Sequence, residues 1–426
     1  MIRDRVETLD RAALRELQLT RLRTTAEHVL AHQPFGAKKL RAAGIDSPAD
    51  IRTLDDVSRV AFTGKADLRE HYPFGLLAVP RQQIARFHAS SGTHGKPTVV
   101  GYTGRDLDTW TELMARCMTG AGVRPGMLVH NANAYGLFTG GHGFHQGAER
   151  IGATVLPVSG GFTARQALLL ADLGAQVLVS TPSYALAIAQ ALSESGVGPD
   201  ELALELGLFG GEPWTEPMRA EIEGALGLNA LNFYGLSEMC GPGVAAECLQ
   251  ERSGLHVHED HFLIEVIDPQ DGRHVAPGDP GELVFTTLTK EALPLIRYRT
   301  GDIGRVIEEK CACGRTTARI AGLRGRLDDM LIVRGVNLHP SQIEHLLLGI
   351  EGVAPHYRLV LERSGPLDEL TLECEPTSGG DPGELPDRIE RRLRDHTGLR
   401  ITVSVLEPGA IPRSEGKAVR VVDRRL

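Results

Sequence analysis

From about Gly126 to Pro213, short apolar runs alternate with stretches that carry apolar residues at helical spacing, and no other feature restricts the fold so strongly. The runs MLVH, ERIGATVLPV, GAQVLVSTP and LELGLFGGEP are bounded by Gly or Pro, as buried parallel strands are, and ARQALLLADL and ALAIAQALSES between them suit crossover helices. This pattern predicts a layered α/β domain. The first eighty residues read as helical, with LRELQLTRLRTTAEHVL placing leucines along one face, and they show no chemistry.

Between Leu255 and Ile307 the period drops toward two in HFLIEVID and GELVFTTL, with the turn clusters PQDG and PGDPG between, which predicts an antiparallel subdomain or small barrel. Beyond GRLDDMLIVRG come a helix (SQIEHLLLGI), strands (HYRLVLER, DELTLECE), a helix (IERRLRDHTG) and a strand (RITVSVLE), a compact α+β unit of about a hundred residues. Two domains are expected of a 426-residue chain, which is long for a single core. We divide them as residues 1–327 and 328–426.

The formal net charge of -9 and the lack of a basic patch exclude a nucleic-acid surface. The first residues are studded with charge and no apolar run approaches the roughly 20 residues that span a bilayer, so the expected location is the cytoplasm. There the six cysteines stay reduced, and any that cluster read as metal ligands or core.

HASSGTHGKPTVVGYT, from His88 to Thr103, resembles a phosphate-binding P-loop but fails its spacing: Gly92 and Gly95 stand too close, and Pro97 occupies the hydroxyl position after Lys96. What remains is a run of Ser90, Ser91, Gly92, Thr93 and Gly95 able to offer N–H and hydroxyl donors to phosphate, with Lys96 adding charge. Alone, this segment reads better as a Gly/Ser turn before a strand than as a phosphate loop. It is followed, in order, by GGEP (Gly210–Pro213), NFYGLSEMCGP (Asn232–Pro242), PLIRYRTGDIG (Pro294–Gly304), GRLDDMLIVRGVNLHPSQIE (Gly325–Glu344) and SEGKAVRV (Ser414–Val421).

That ordered set resembles the adenylate-forming superfamily, and within it the phenylacetate-CoA ligase family, through nearly the whole chain. The resemblance implies that the loop grips the β and γ phosphates of ATP while a substrate carboxylate attacks the α phosphorus. His94 stands where the family usually has threonine. Glu238 would hold magnesium, whose hard charge wants carboxylate oxygen. Tyr234, Gly235 and Ser237 would contact nucleotide, and Gly211, Glu212 and Pro213 would lie against adenine. Asp302, assisted by Arg326, would accept from the ribose hydroxyls. Lys417 would be the adenylation lysine, placing an ammonium where negative charge builds in the transition state. Asp328 would be the hinge about which the C-terminal domain turns between adenylation and thioester formation with CoA. A homodimer is likewise expected by resemblance.

Cys248, His256, Cys311 and Cys313 are candidates for a structural zinc site of three sulfurs and one nitrogen, with His258 as a rival ligand. Cys117, Cys240 and Cys374 are scattered and read as core. The aryl-acid slot is expected from Asn133, Tyr135, Phe138, Gly140, Gly141, His142 and Phe144, aromatic walls and glycines that leave planar space. Asn133, Ala134, His142 and Gln146 depart from the family pattern. An unpaired buried donor costs about 1–3 kcal/mol, so polar side chains here point to a hydroxy- or amino-substituted acid ahead of plain phenylacetate. Two other readings stay open: an adenylating enzyme that loads a carrier-protein pantetheine, and a non-enzymatic ligand-binding protein on the same fold.

Overall fold

The computed structural model describes residues 1–90, 97–323, 325, 327–333, 336–364, 367–377, 383–414 and 416–425. A hairpin of β1 (Ile84–Ser90) and β2 (Thr98–Thr103) precedes the α/β alternation. β3 (Leu128–Asn131), β4 (Thr154–Leu156), β5 (Val177–Ser180), β6 (Leu206–Gly210) and β7 (Asn229–Leu236) then form the expected parallel sheet. Its pleat sorts side chains to two cores: Val177 and Val179 face one and Leu178 the other, as Leu206 and Leu208 oppose Phe209. Helices Gly104–Gly120 and Gly140–Ile151 cover the first face, and helices Thr163–Asp172, Pro182–Glu194 and Glu216–Leu226 the second.

The antiparallel strands are present, but they continue the same sheet. β8 (Gly241–Ala246) folds back on β7, and β9 (Leu255–Val257) pairs with it. β10 (Phe262–Ile267), β11 (Gly281–Thr287), β12 (Tyr298–Ile307) and β13 (Arg319–Ala321) complete an eleven-stranded order β10-β11-β12-β13-β9-β8-β7-β6-β5-β3-β4. The β7–β8 ladder, with a bulge between Tyr234 and Gly235, and β12, which pairs with β11 through its first part and with β13 through its last three residues, join these strands to the parallel sheet. Asp106 fastens this region to the helical layer. It closes the capping box of Gly104–Gly120 with Thr103 and also accepts from Glu291 N at 2.7 Å and Ala292 N at 2.9 Å.

A short ribbon, β14 (Leu331–Val333) and β15 (Val336–Leu338), leads into the C-terminal domain. There β16 (Val353–Ser364), β17 (Leu367–Pro376), β18 (Thr402–Val405) and β19 (Val421–Asp423) form a sheet of order β18-β17-β16-β19, covered by helices Pro340–Leu348 and Leu385–Thr397 around a core of its own. The three-residue β19 was not anticipated, being too short for a periodic signal. It matters because the chain between β18 and β19 reaches across to the larger domain. Among the described residues, no helix is long and apolar enough to cross a membrane.

Candidate active site

β7 and the turn after it carry the centre of the site. Tyr234 OH donates to Asp302 Oδ2 at 2.6 Å, joining two residues that the sequence assigned to nucleotide. Asp302 follows Gly301, whose φ of 78° favours glycine and whose N–H donates to Glu282 Oε1 at 3.0 Å. A Cβ on Gly235 would come within 1.6 Å of the Gly241 carbonyl oxygen, so this glycine is demanded by the tight β7–β8 crossing. Ser237 lends its carbonyl to Tyr102 OH at 2.6 Å and lies 3.4 Å from Thr139 Oγ1 through its hydroxyl.

Glu238 is 3% exposed and accepts from Tyr298 OH at 3.3 Å. Beneath it lies a residue the sequence reading missed. The buried Lys290 ammonium donates to the carbonyls of Glu238 and Met239 and sits 3.9 Å from the Tyr102 ring centroid. Burial pushes Lys290 down to about 8, against the pull of Asp106, Cys240 and Glu238. A lysine just after the strand GELVFTT and just upstream of YRTGD was the available signal.

Lys417 is exposed, and its Cε lies 3.7 Å from where a Cβ on Gly211 would stand. The adenylation-lysine candidate is thus brought to the GGEP segment. The Glu212 carboxylate accepts from Ser183 N and Ala418 N, each at 2.7 Å. Ser90 ends β1, while Ser91, Gly92, Thr93, Gly95, Lys96 and Arg326 lie outside the described residues. Asp328 falls in the short turn Leu327–Asp329, between β13 and β14, where the chain passes from one domain to the other.

The aryl-acid candidates cluster about the start of helix Gly140–Ile151. Tyr135 meets His142 edge-on with centroids 5.4 Å apart, and His142 meets the buried His88 at 5.5 Å. Gly141 leaves no room for a side chain, since its Cβ would lie 2.7 Å from Ala134 O, whereas a Cβ on Gly140 would meet the Asn133 side chain at 3.7 Å. Phe138 is 44% exposed, while Phe144 packs on Phe233 in the core, behind the slot the sequence reading gave it. Polar groups here largely find partners within the chain. Tyr135 OH accepts from Asn131 Nδ2 at 2.8 Å and lies 3.0 Å from His145 Nδ1. Oriented by its network, the Gln146 amide donates to Thr111 Oγ1 at 3.2 Å and accepts from Arg86 Nη2 at 3.1 Å. His142 is also hydrogen-bonded to the Tyr135 backbone, which leaves Asn133 as the candidate partner of a ring substituent.

Cys248, His256, Cys311 and Cys313 come together, with one donor atom from each lying within 4.8 Å of all the others. The Cys248–Cys311 sulfurs are 3.6 Å apart and Cys313 Sγ is 3.5 Å from His256 Nε2. A tetrahedral zinc with bonds of about 2.3 Å to sulfur and about 2.0–2.1 Å to nitrogen has ligand edges of about 3.5–3.8 Å, so the donor set fits that ion. His256 Nδ1 lies 3.2 Å from Thr317 Oγ1, leaving Nε2 toward the sulfurs. His258 is turned away, 3.2 Å from Cys117 Sγ in the interior. Cys117, Cys240 and Cys374 are buried, and burial pushes all three thiols up.

The AMP-binding enzyme family model matches residues 55–288, and that of the AMP-binding enzyme C-terminal domain matches residues 335–425. The chain is 50% identical to the phenylacetate-coenzyme A ligase of Thermus thermophilus, with all of both chains covered. It is 46% identical to that of Escherichia coli, over 99% of this chain and 97% of that one. Among solved structures, 2-hydroxyisobutyryl-CoA ligase with 2-HIB-AMP in its postadenylation state matches with a TM-score of 0.93 at 32% identity, covering 99% of this chain and 92% of that one. The same ligase in its thioesterification state gives 0.73, so the domains here are arranged as in the former. The chain belongs to the phenylacetate-coenzyme A ligase family, AMP-forming acid–thiol ligases among the AMP-binding enzymes.

Proposed function

We propose that this enzyme activates phenylacetate, or an aryl acid close to it, with ATP and passes the acyl group to CoA. A carboxylate oxygen attacks the α phosphorus, the bond to the β-phosphate oxygen breaks, and pyrophosphate leaves. The CoA thiol then attacks the acyl carbonyl, AMP departs with the bonding electrons, and the thiol proton passes to solvent. Carrying this reading is the placement of Lys417 over Gly211, in the same site as the Tyr234–Asp302 pair and Glu238. Lys417 favours the charge-rich transition state, Asp302 holds the ribose, and Tyr234 fixes that carboxylate. Glu238 would hold a magnesium ion that neutralises phosphate charge, and Lys290 sets the backbone from which Glu238 projects. Ser90, Ser91, Gly92, Thr93, Gly95 and Lys96 would take the phosphates, with Arg326 beside the ribose.

Phenylacetate leads over the substituted acids because Gln146 and Tyr135 already have partners. We assign residues 1–327 and 328–426 as the two domains, Asp328 as their hinge, and a structural zinc to Cys248, His256, Cys311 and Cys313. We place the enzyme in the cytoplasm, where six free cysteines stay reduced, and expect a homodimer on family resemblance. The test is pyrophosphate release with ATP, magnesium and CoA across phenylacetate, benzoate and hydroxy- and aminobenzoates. The reading expects phenylacetate to be turned over fastest, with its CoA thioester formed in equal amount. Fastest turnover of a substituted benzoate would overturn the substrate, release without acyl-CoA would favour a carrier-protein acceptor, and no release with any acid would favour a non-enzymatic protein.

A further inference from the structure

Glu212 spans the two domains with a single side chain. Its Oε1 accepts from Ser183 N at 2.7 Å, in the first turn of helix Pro182–Glu194 of the larger domain. Its Oε2 accepts at 2.7 Å from Ala418 N, the residue after Lys417 in the loop that the C-terminal sheet sends across. On the other side of Lys417, Thr181 Oγ1 donates to Gly416 O at 2.9 Å. Both peptide neighbours of Lys417 are therefore tied to the larger domain, and the stronger tie uses a charged acceptor, roughly twice as strong as a neutral one.

We propose that Glu212 is a positioning residue for the first half-reaction, a latch whose two carboxylate oxygens hold one domain each and so aim Lys417. The inference rests on the role given to Lys417 above. A carboxylate suits the task because both oxygens accept, whereas an amide offers a single acceptor oxygen and can hold one domain only. Opening the latch breaks hydrogen bonds alone, so the loop can leave once acyl-AMP has formed. The latched arrangement resembles that of the 2-hydroxyisobutyryl-CoA ligase in its postadenylation state, with a TM-score of 0.92, and differs from its thioesterification state at 0.73.

Hydrogen exchange of the Gly416–Ala418 backbone, read by mass spectrometry on the full chain, tests the latch without any reference to activity. Glu212→Gln should raise exchange there about tenfold, the loss of one such bond, while leaving exchange in β5 and β6 unchanged. ATP–pyrophosphate exchange should fall about tenfold in kcat with KM for the acid unchanged, and thioester formation from prepared acyl-AMP should fall far less. Glu212→Asp, which keeps two acceptors, should recover part of the loss. Unchanged protection, or an equal fall in both half-reactions, would overturn the latch. If Glu212→Gln fails to fold, Glu212→Asp decides in its place: a smaller rise in exchange at Gly416–Ala418 with an unchanged Tm supports the latch and unchanged exchange refutes it. Should the wild-type enzyme form no acyl-AMP from any acid, the proposed function falls while the exchange measurement still decides the latch.

Discussion

His88 lies in β1, buried among the rings of Tyr102, Trp110 and His142. Its Nδ1–H donates to Leu137 O at 3.1 Å, and its buried Nε2 has no hydrogen-bond partner among the described residues. Burial, with His142, Arg86 and Lys290 nearby, pushes the imidazole down to about 4 from 6.5, against the Leu137 bond. The unfolded chain thus takes up this proton first as the pH falls. His88 accordingly contributes stability that is present above pH 6.5 and lost progressively toward pH 4. Thermal unfolding at pH 7, 6 and 5 should show a falling Tm, and His88→Gln should make that slope shallower. An unchanged slope would mean that His88 is not held neutral by the fold.

At the scale of elements, the metal cluster depends on strand register. β8 and β9 pair Ala246 with His256, which brings Cys248, just past the end of β8, beside the imidazole. β13 pairs Arg319 with His256, drawing in the Cys311–Cys313 turn that precedes it. The four donors that the structure brings together were legible because thiols and an imidazole in neighbouring segments carry a chemical signature. The sequence could not separate His256 from His258, because β9 ends at Val257 and only the fold around that end turns His258 toward Cys117 and leaves His256 with the sulfurs. Cys313→Ser should abolish an otherwise stoichiometric zinc content and cost about 3 kcal/mol of stability at a hundredfold excess of zinc over its Kd. Adenylation by the protein that stays folded should hold to within about twofold, since no proposed catalytic group touches the cluster. A large loss of adenylation at full fold would contradict a structural role.

Over the whole molecule, the two domains meet where Lys417 approaches Gly211, and this separates the half-reactions. Lys417→Ala should lower acyl-AMP formation by about 10²–10³ in kcat, as loss of a preorganised charge does, yet leave CoA transfer from prepared acyl-AMP nearly intact. Equal losses in both would show that Lys417 serves binding or folding. The layered fold was legible because buried parallel strands such as VLVS are continuous apolar runs between Gly and Pro. Joining of the antiparallel strands to that sheet was not, since pairing between distant strands leaves no local period. The bond between Glu212 and Ala418 was not legible for a related reason: the two are close only once both domains have folded and docked.

In the proposed reaction a carboxylate oxygen attacks the α phosphorus of ATP. This attack is tested most directly by turning over phenylacetate labelled with ¹⁸O in its carboxylate, in the presence of ATP, magnesium and CoA, and weighing the nucleotide products. One ¹⁸O should appear in each AMP and none in pyrophosphate. Label in phosphate or pyrophosphate, or ADP as the product, would contradict the account.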